Sequence, residues 1–88
     1  MQIEFKESFL KDLKKLKDKE LKDKVKNVIC DVEKAQNVSE IKKLRKLKGY
    51  KNFYRLRVGN YRIGLQIKHN CVIFVRILHR KEIYKYFP

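Results

Sequence analysis

Arg55, Arg57, Arg62 and Arg76 fall at positions from which strand alternation turns them to one side of a sheet, and Arg80 continues that parity past the strand end. Guanidinium forks grip phosphate oxygens in pairs and stay charged at any working pH. Gathered on one face, they make a candidate cradle for a phosphodiester. The competing reading is a solvated face on which arginine is merely soluble, although such faces normally intersperse both signs. His79 stands beside Arg80 and could move a proton near neutrality, whereas His69 reads as incidental in a turn. Tyr84, Tyr86 and Phe87 follow the last strand-like run, need not be buried, and are candidates for stacking on bases. Tyr50, Tyr54 and Tyr61 read as core or rim.

The charge distribution agrees with this reading. The first 40 residues carry ten Lys against nine Asp or Glu, whereas the remaining 48 carry fourteen Lys or Arg against Glu82 alone. No acidic residue occurs from Ile41 to Lys81. A field of one sign confined to half of a small domain favours polyanionic partners.

Gln2 to Phe5 alternates as a short strand with Ile3 and Phe5 inward. Ser8 is a plausible N-cap for a helix carrying Leu10, Leu13 and Leu16, and a second helical row runs through Leu21, Val25, Val28, Ile29 and Val32. Their outer faces alternate Lys with Asp or Glu, which is a solvated surface. Ser39 is expected to cap a further helical turn with Ile41, Leu44 and Leu47 on its buried side, ended by Gly49. Three strands are then expected, over Phe53 to Val58, Tyr61 to Ile67 and Cys71 to Leu78. Gly59-Asn60 suits a type II′ hairpin turn, pairing Val58 with Tyr61, Arg57 with Arg62 and Arg55 with Gly64. A three-residue turn at Lys68-His69-Asn70 would place Arg62 opposite Arg76. A two-residue turn would send Arg76 into the core, a poor position for an unpaired charge.

The order predicts a single α+β domain over residues 1–88: an N-terminal strand, then a two-helix hairpin packed on a twisted antiparallel sheet, β-α-α-β-β-β, with a short aromatic tail. Cys30 and Cys71 are isolated and read as buried small hydrophobes, so neither a disulfide framework nor a metal site is indicated. No signal peptide or membrane span is evident, and cytoplasm is the expected compartment.

The run from Leu47 to Ile63, with YRLRVGNYRI at its end, followed by an apolar strand and then HRKEIY from His79 to Tyr84, resembles the RelE/ParE superfamily of type II toxins. Phe5 to Leu16 is similar to that family's opening strand and first helix. The resemblance covers essentially the whole chain and implies a toxin neutralised by an acidic antitoxin. RelE-type members enter the ribosomal A site and cut mRNA there without a metal or other cofactor. The 2′-hydroxyl attacks the adjacent phosphate in line, leaving a 2′,3′-cyclic phosphate and a 5′-hydroxyl.

By that resemblance Arg55 and Arg57 stand where RelE itself has two lysines, and Arg62 matches a phosphate-binding arginine. Arg80 matches an arginine acting on the transition state or leaving group, and Tyr84 is the counterpart of a base-stacking tyrosine. Arginine is a poor proton acceptor, so the acid–base role is shifted to His79. Lys48, Lys51, Arg76, Lys81 and Phe87 are expected to make further RNA contacts. The alternatives are a ParE-like inhibitor of DNA gyrase on the same fold, for which clustered arginines have no evident use, and a binding module for RNA or the ribosome without catalysis.

Overall fold

The computed structural model describes residues 1–88. Strand β1 (Gln2–Phe5) is followed by helices α1 (Glu7–Lys15) and α2 (Lys19–Lys34), then a 3-10 turn at Val38–Glu40. Strands β2 (Leu44–Lys46), β3 (Phe53–Val58), β4 (Tyr61–Lys68) and β5 (Cys71–His79) follow, and a single helical turn, α3 (Ile83–Tyr86), closes the chain. The sheet has five strands in the order β1-β5-β4-β3-β2. It is mixed rather than wholly antiparallel, because β1 runs parallel to β5.

The helices cover one sheet face. Leu56, Val58, Ile63, Leu65, Ile67, Val72, Phe74 and Ile77 meet Phe9, Leu16, Leu21, Val25 and Val32 in one core. Helix α2 behaves as its spacing predicts. Asp18, not a residue of the apolar row, caps it by accepting from the Glu20 and Leu21 amides. Helix α1 departs from expectation. Phe9 and Asp12 are its buried positions and Leu10 is exposed, while Ser8 lies inside the helix and caps nothing.

Two further expectations fail. The segment read as a helical turn contributes β2, an edge strand whose Leu44, Arg45 and Lys46 pair with Leu56, Arg55 and Tyr54. A three-residue leucine spacing looks helical, but Lys43 takes a left-handed φ of 64° that no helix continues through. Cys30 is exposed and Cys71 half-buried, so Cys30 is not the buried hydrophobe expected.

The two hairpin turns decide where the arginines face. Gly59 has φ +57°, and Val58 pairs with Tyr61 as predicted. The β4–β5 turn is shorter than predicted: His69 and Asn70 both have positive φ and Lys68 pairs directly with Cys71, as in a type I′ hairpin. In an unbroken ladder that register would bury Arg76 opposite Ile63. The ladder instead slips at Gly64/Leu65, so that Leu65 faces Phe74 while Gly64 faces Arg76, with Val75 as the extra residue. The bulge returns Arg76 to the open face.

Helix α1 holds that bulge. Beyond Phe74 the outer edge of β5 has no strand partner, and α1 supplies side chains in its place. Ser8 Oγ donates to the Val75 carbonyl at 2.6 Å, and Asp12 Oδ2 accepts from the Ile77 amide at 3.1 Å. Residues four apart lie on one helix face, so a single side of α1 satisfies the open edge that would otherwise invite pairing.

Candidate nucleic-acid interface

Cross-strand pairing sets two arginine-bearing rows on the open face. Arg45, Arg55, Gly64 and Arg76 form one, and Arg57, Arg62 and Leu78 the other. Arg45 was not singled out in the sequence, because the pairing that places it beside Arg55 depends on β2. The signal was present only as an apolar residue followed by Arg-Lys before a Gly turn. The predicted opposition of Arg62 and Arg76 does not occur: Leu78 faces Arg62.

The hairpin end carries most of the predicted residues. Arg62 Nη1 donates to the Gly59 and Tyr61 carbonyls at 3.0 and 2.9 Å, which folds the guanidinium against the turn. The Arg80 amide donates to the Asn60 carbonyl at 2.8 Å and ties the segment after β5 to the same turn. The Arg62 guanidinium is pushed below its ordinary value by loss of solvent first, then by Arg55 and Arg57, with Arg80 adding to the effect and Tyr84 opposing it. Those five side chains therefore share one electrostatic neighbourhood. The chain's four ion pairs are Lys11–Glu7, Lys24–Glu20, Arg76–Asp12 and Lys85–Glu82, and none of them reaches Arg45, Arg55, Arg57, Arg62 or Arg80.

Arg76 is the exception, and its expected role as an RNA contact is corrected. Its Nε and Nη2 donate to Asp12 Oδ2 and Oδ1 at 2.7 and 3.0 Å, a bidentate pair with a carboxylate only 5% exposed. The hydrogen bond from Arg76 to Asp12 raises the guanidinium's pKa, against the opposing effect of burial. Its charge is already answered from within. The position read as free for phosphate is a structural joint between α1 and β5.

Phe87 is also corrected. It is 2% exposed and cannot stack on a base. Its ring covers Gly64 so closely that a Cβ there would lie 2.7 Å from the ring carbons, and it meets Phe53 edge-on at 5.6 Å. The space left by Gly64 is filled by the chain's own tail. Tyr84 and Tyr86 remain well exposed, at 60% and 58%. Lys48, Lys51 and Lys81 are exposed and enter no ion pair. Tyr50 is 49% exposed, more open than the core or rim position expected of it.

His79 sits differently from expectation. It is the cross-strand partner of Tyr61 and meets that ring edge-on at 5.5 Å, so its strand parity is that of the helix-covered side and not of the arginines. Its Nδ1 accepts from the Lys81 amide at 3.2 Å. That bond assigns the neutral ring to the Nε2–H tautomer, which offers a proton rather than a lone pair.

A cavity of about 730 Å³ lies elsewhere, between α2 and β3, and touches the arginine set only at Arg57. The arginine end is an open surface patch, bounded on one side by the C-terminal turn. Such a patch fits an extended polyanion better than an enclosed small molecule.

A mixed five-stranded sheet under two helices, with an unanswered arginine patch on its bare face, is the build of a small RelE/ParE-type toxin. The chain belongs to that superfamily: the family described as "ParE toxin of type II toxin-antitoxin system, parDE" matches residues 3–84. Among individual relatives it is 42% identical to Toxin RelE3 of Methanocaldococcus jannaschii over 89 residues, covering 100% of both chains. The crystal structure of the RelB-RelE antitoxin-toxin complex from Methanococcus jannaschii superposes with a TM-score of 0.81 at 41% identity, covering 97% of this chain and 99% of that one. The archaeal RelE-RelB complex from Pyrococcus horikoshii OT3 shares the fold at a TM-score of 0.73 and 19% identity, covering 93% and 97%.

Proposed function

We propose that this type II toxin is a ribosome-dependent mRNA endoribonuclease. The observation that carries the reading is the cluster of Arg55, Arg57, Arg62 and Arg80, none of which is reached by an ion pair from any carboxylate of the chain. Like charges crowded together cost stability unless a ligand answers them. A scissile phosphate gains charge as the 2′-oxygen approaches, and preset guanidiniums stabilise that charge without reorganising.

In the reaction so read, the 2′-oxygen forms a bond to phosphorus and the bond from phosphorus to the 5′-oxygen breaks. The 2′ proton passes to water. The departing 5′-oxygen takes up a proton from water in turn, because His79 lies beside Tyr61 on the helix-covered parity and the Nε2–H of a neutral imidazole is too weak an acid for the acid–base role expected of it. Tyr84 offers a ring for stacking beside the phosphate. Locking the 2′-oxygen in line contributes further, since orientation alone is worth several kcal/mol.

The partners follow from the same patch. An acidic, initially disordered antitoxin segment would pair with the arginines and fold as it docks. Support comes from the relative solved as a RelB-RelE antitoxin-toxin complex. The ribosome and mRNA are the proposed targets, and the cytoplasm the proposed compartment. No helix is long and apolar enough to cross a membrane.

The family's ParE description favours a second reading, a toxin that inhibits DNA gyrase by binding. Parallel assays of cell-free translation and of gyrase supercoiling separate the two. The nuclease reading expects arrested translation with cut message and untouched supercoiling. Loss of supercoiling with intact message would replace it by the ParE reading.

A further inference from the structure

The joint made by Asp12 and Arg76 reaches further than the β5 edge. The carboxylate of Asp12 accepts three hydrogen bonds, two from the Arg76 guanidinium and one from the Ile77 amide. On its other side the guanidinium carbon lies 5.6 Å from the centroid of the Tyr86 ring, within cation–π range. A chain of contacts thus runs from α1 through Arg76 to the C-terminal turn.

That turn does not hold itself. Helix α3 has four residues, and its backbone bonds include Lys85 N to Glu82 O at 3.0 Å and Phe87 N to Ile83 O at 2.8 Å. So short a helix is unstable without tertiary contacts. Ile83 and Phe87, one turn apart, are buried against the sheet and fix how deep the turn sits. Tyr86 on Arg76 adds a second, lateral fixation. Residues two apart on a helix point about 200° away from each other. Seating Tyr86 over Arg76 therefore directs Tyr84 away from Arg76, on a segment whose Arg80 amide is bonded to the Asn60 carbonyl of the arginine-bearing hairpin at 2.8 Å.

We propose that Asp12 and Arg76 are positioning residues that hold the C-terminal turn through Tyr86 and so aim Tyr84 at the arginine cluster. The pair touches no RNA. It sets the geometry of a side chain that does, and in this functional part it rests on the nuclease reading.

The test combines amide hydrogen exchange with single-turnover and steady-state cleavage on translating ribosomes. The variants are Tyr86→Leu, Arg76→Gln and Arg76→Lys. Tyr86→Leu leaves the Asp12–Arg76 pair intact and secures the test if Arg76→Gln fails to fold. The Lys85 and Phe87 amides should exchange about tenfold faster in Tyr86→Leu and Arg76→Gln, while the Ile63 and Leu65 amides of β4 keep their protection in Tyr86→Leu. Turnover should fall severalfold with KM little changed, because the arginines that attract RNA are untouched. Arg76→Lys, which keeps a cation between Asp12 and Tyr86, should restore most of both. Unchanged protection at Lys85 and Phe87 in Tyr86→Leu would overturn the proposal, as would a loosened turn with turnover equal to the parent's. A parent protein that cuts no message would refute the nuclease reading instead, and the exchange data alone would then decide whether Arg76 clamps the turn.

Discussion

Arg62 and Arg76 stand on the same open face of adjacent strands, yet their guanidiniums are displaced in opposite directions. Arg62 is pushed down by loss of solvent first and then by Arg55, Arg57 and Arg80. Arg76 is raised by a buried carboxylate from a helix 64 residues earlier in the chain. The contrast separates two uses of one residue type. At the β5 end, a charge is answered within the fold and holds α1, β5 and α3 together. At the hairpin end, charges are left unanswered at a cost in stability, the mark of a surface that awaits a partner.

Substitutions should make that contrast measurable. Arg76→Ala leaves the Asp12 carboxylate buried without its partner and is expected to cost about 3–5 kcal/mol, a large share of the margin of a domain this size. Arg62→Ala should move the denaturation midpoint far less, by about 1 kcal/mol or below, since Arg62 is half-buried, has no ion pair, and gives up two hydrogen bonds to turn carbonyls while relieving repulsion. Equal losses in urea titrations of the two variants would erase the distinction.

A smaller effect is expected between the two regions, where Phe87 lies on Gly64. Gly64→Ala must push the ring aside, because the added methyl would sit 2.7 Å from it. Overpacking of this kind costs about 1–3 kcal/mol. Thermal melts should show that loss, and near-ultraviolet circular dichroism should show Phe53 and Phe87 in a less ordered setting. A variant as stable as the parent would mean that the tail does not depend on that seat.

The smallest effect sharpens the contrast most cleanly. Binding of single-stranded RNA weakens with salt in proportion to the phosphates neutralised, by about 0.7 in log–log slope for each. Arg62→Ala should reduce the slope by about that amount. Arg76→Gln, tested where it folds, should leave the slope alone because its charge is already paired. Equal changes in slope would place both arginines on the RNA.

The sequence made the hairpin end legible because everything that shapes it is local. Gly59-Asn60 sets a two-residue turn, and the turn sets the parity of Arg55, Arg57 and Arg62. The β5 end was not legible, because its geometry is imposed from a distance. Nothing near Val75 announces a bulge; Ser8 and Asp12 hold it in place, and without it a short His69-Asn70 turn would bury Arg76. Phe87 was misjudged for a related reason. A terminal aromatic reads as exposed until the tail is seen folding back onto a glycine in a strand. Strand β2 was hidden by a leucine spacing that serves a helix equally well, and Arg45 was missed along with it. His79 was placed by chemistry and its neighbour Arg80, whereas strand parity, once the bulge is counted, puts it beside Tyr61.

The central claim is that the unanswered arginines at the hairpin end hold a scissile RNA phosphate. The most direct measurement maps mRNA ends on translating ribosomes after induction of the parent protein and of Arg62→Ala at matched expression. The parent should produce new 5′-hydroxyl and 2′,3′-cyclic phosphate ends at A-site codons, reduced about 10²–10³-fold with Arg62→Ala while the fold is intact. The same ends at the same yield from a folded Arg62→Ala protein would contradict the claim.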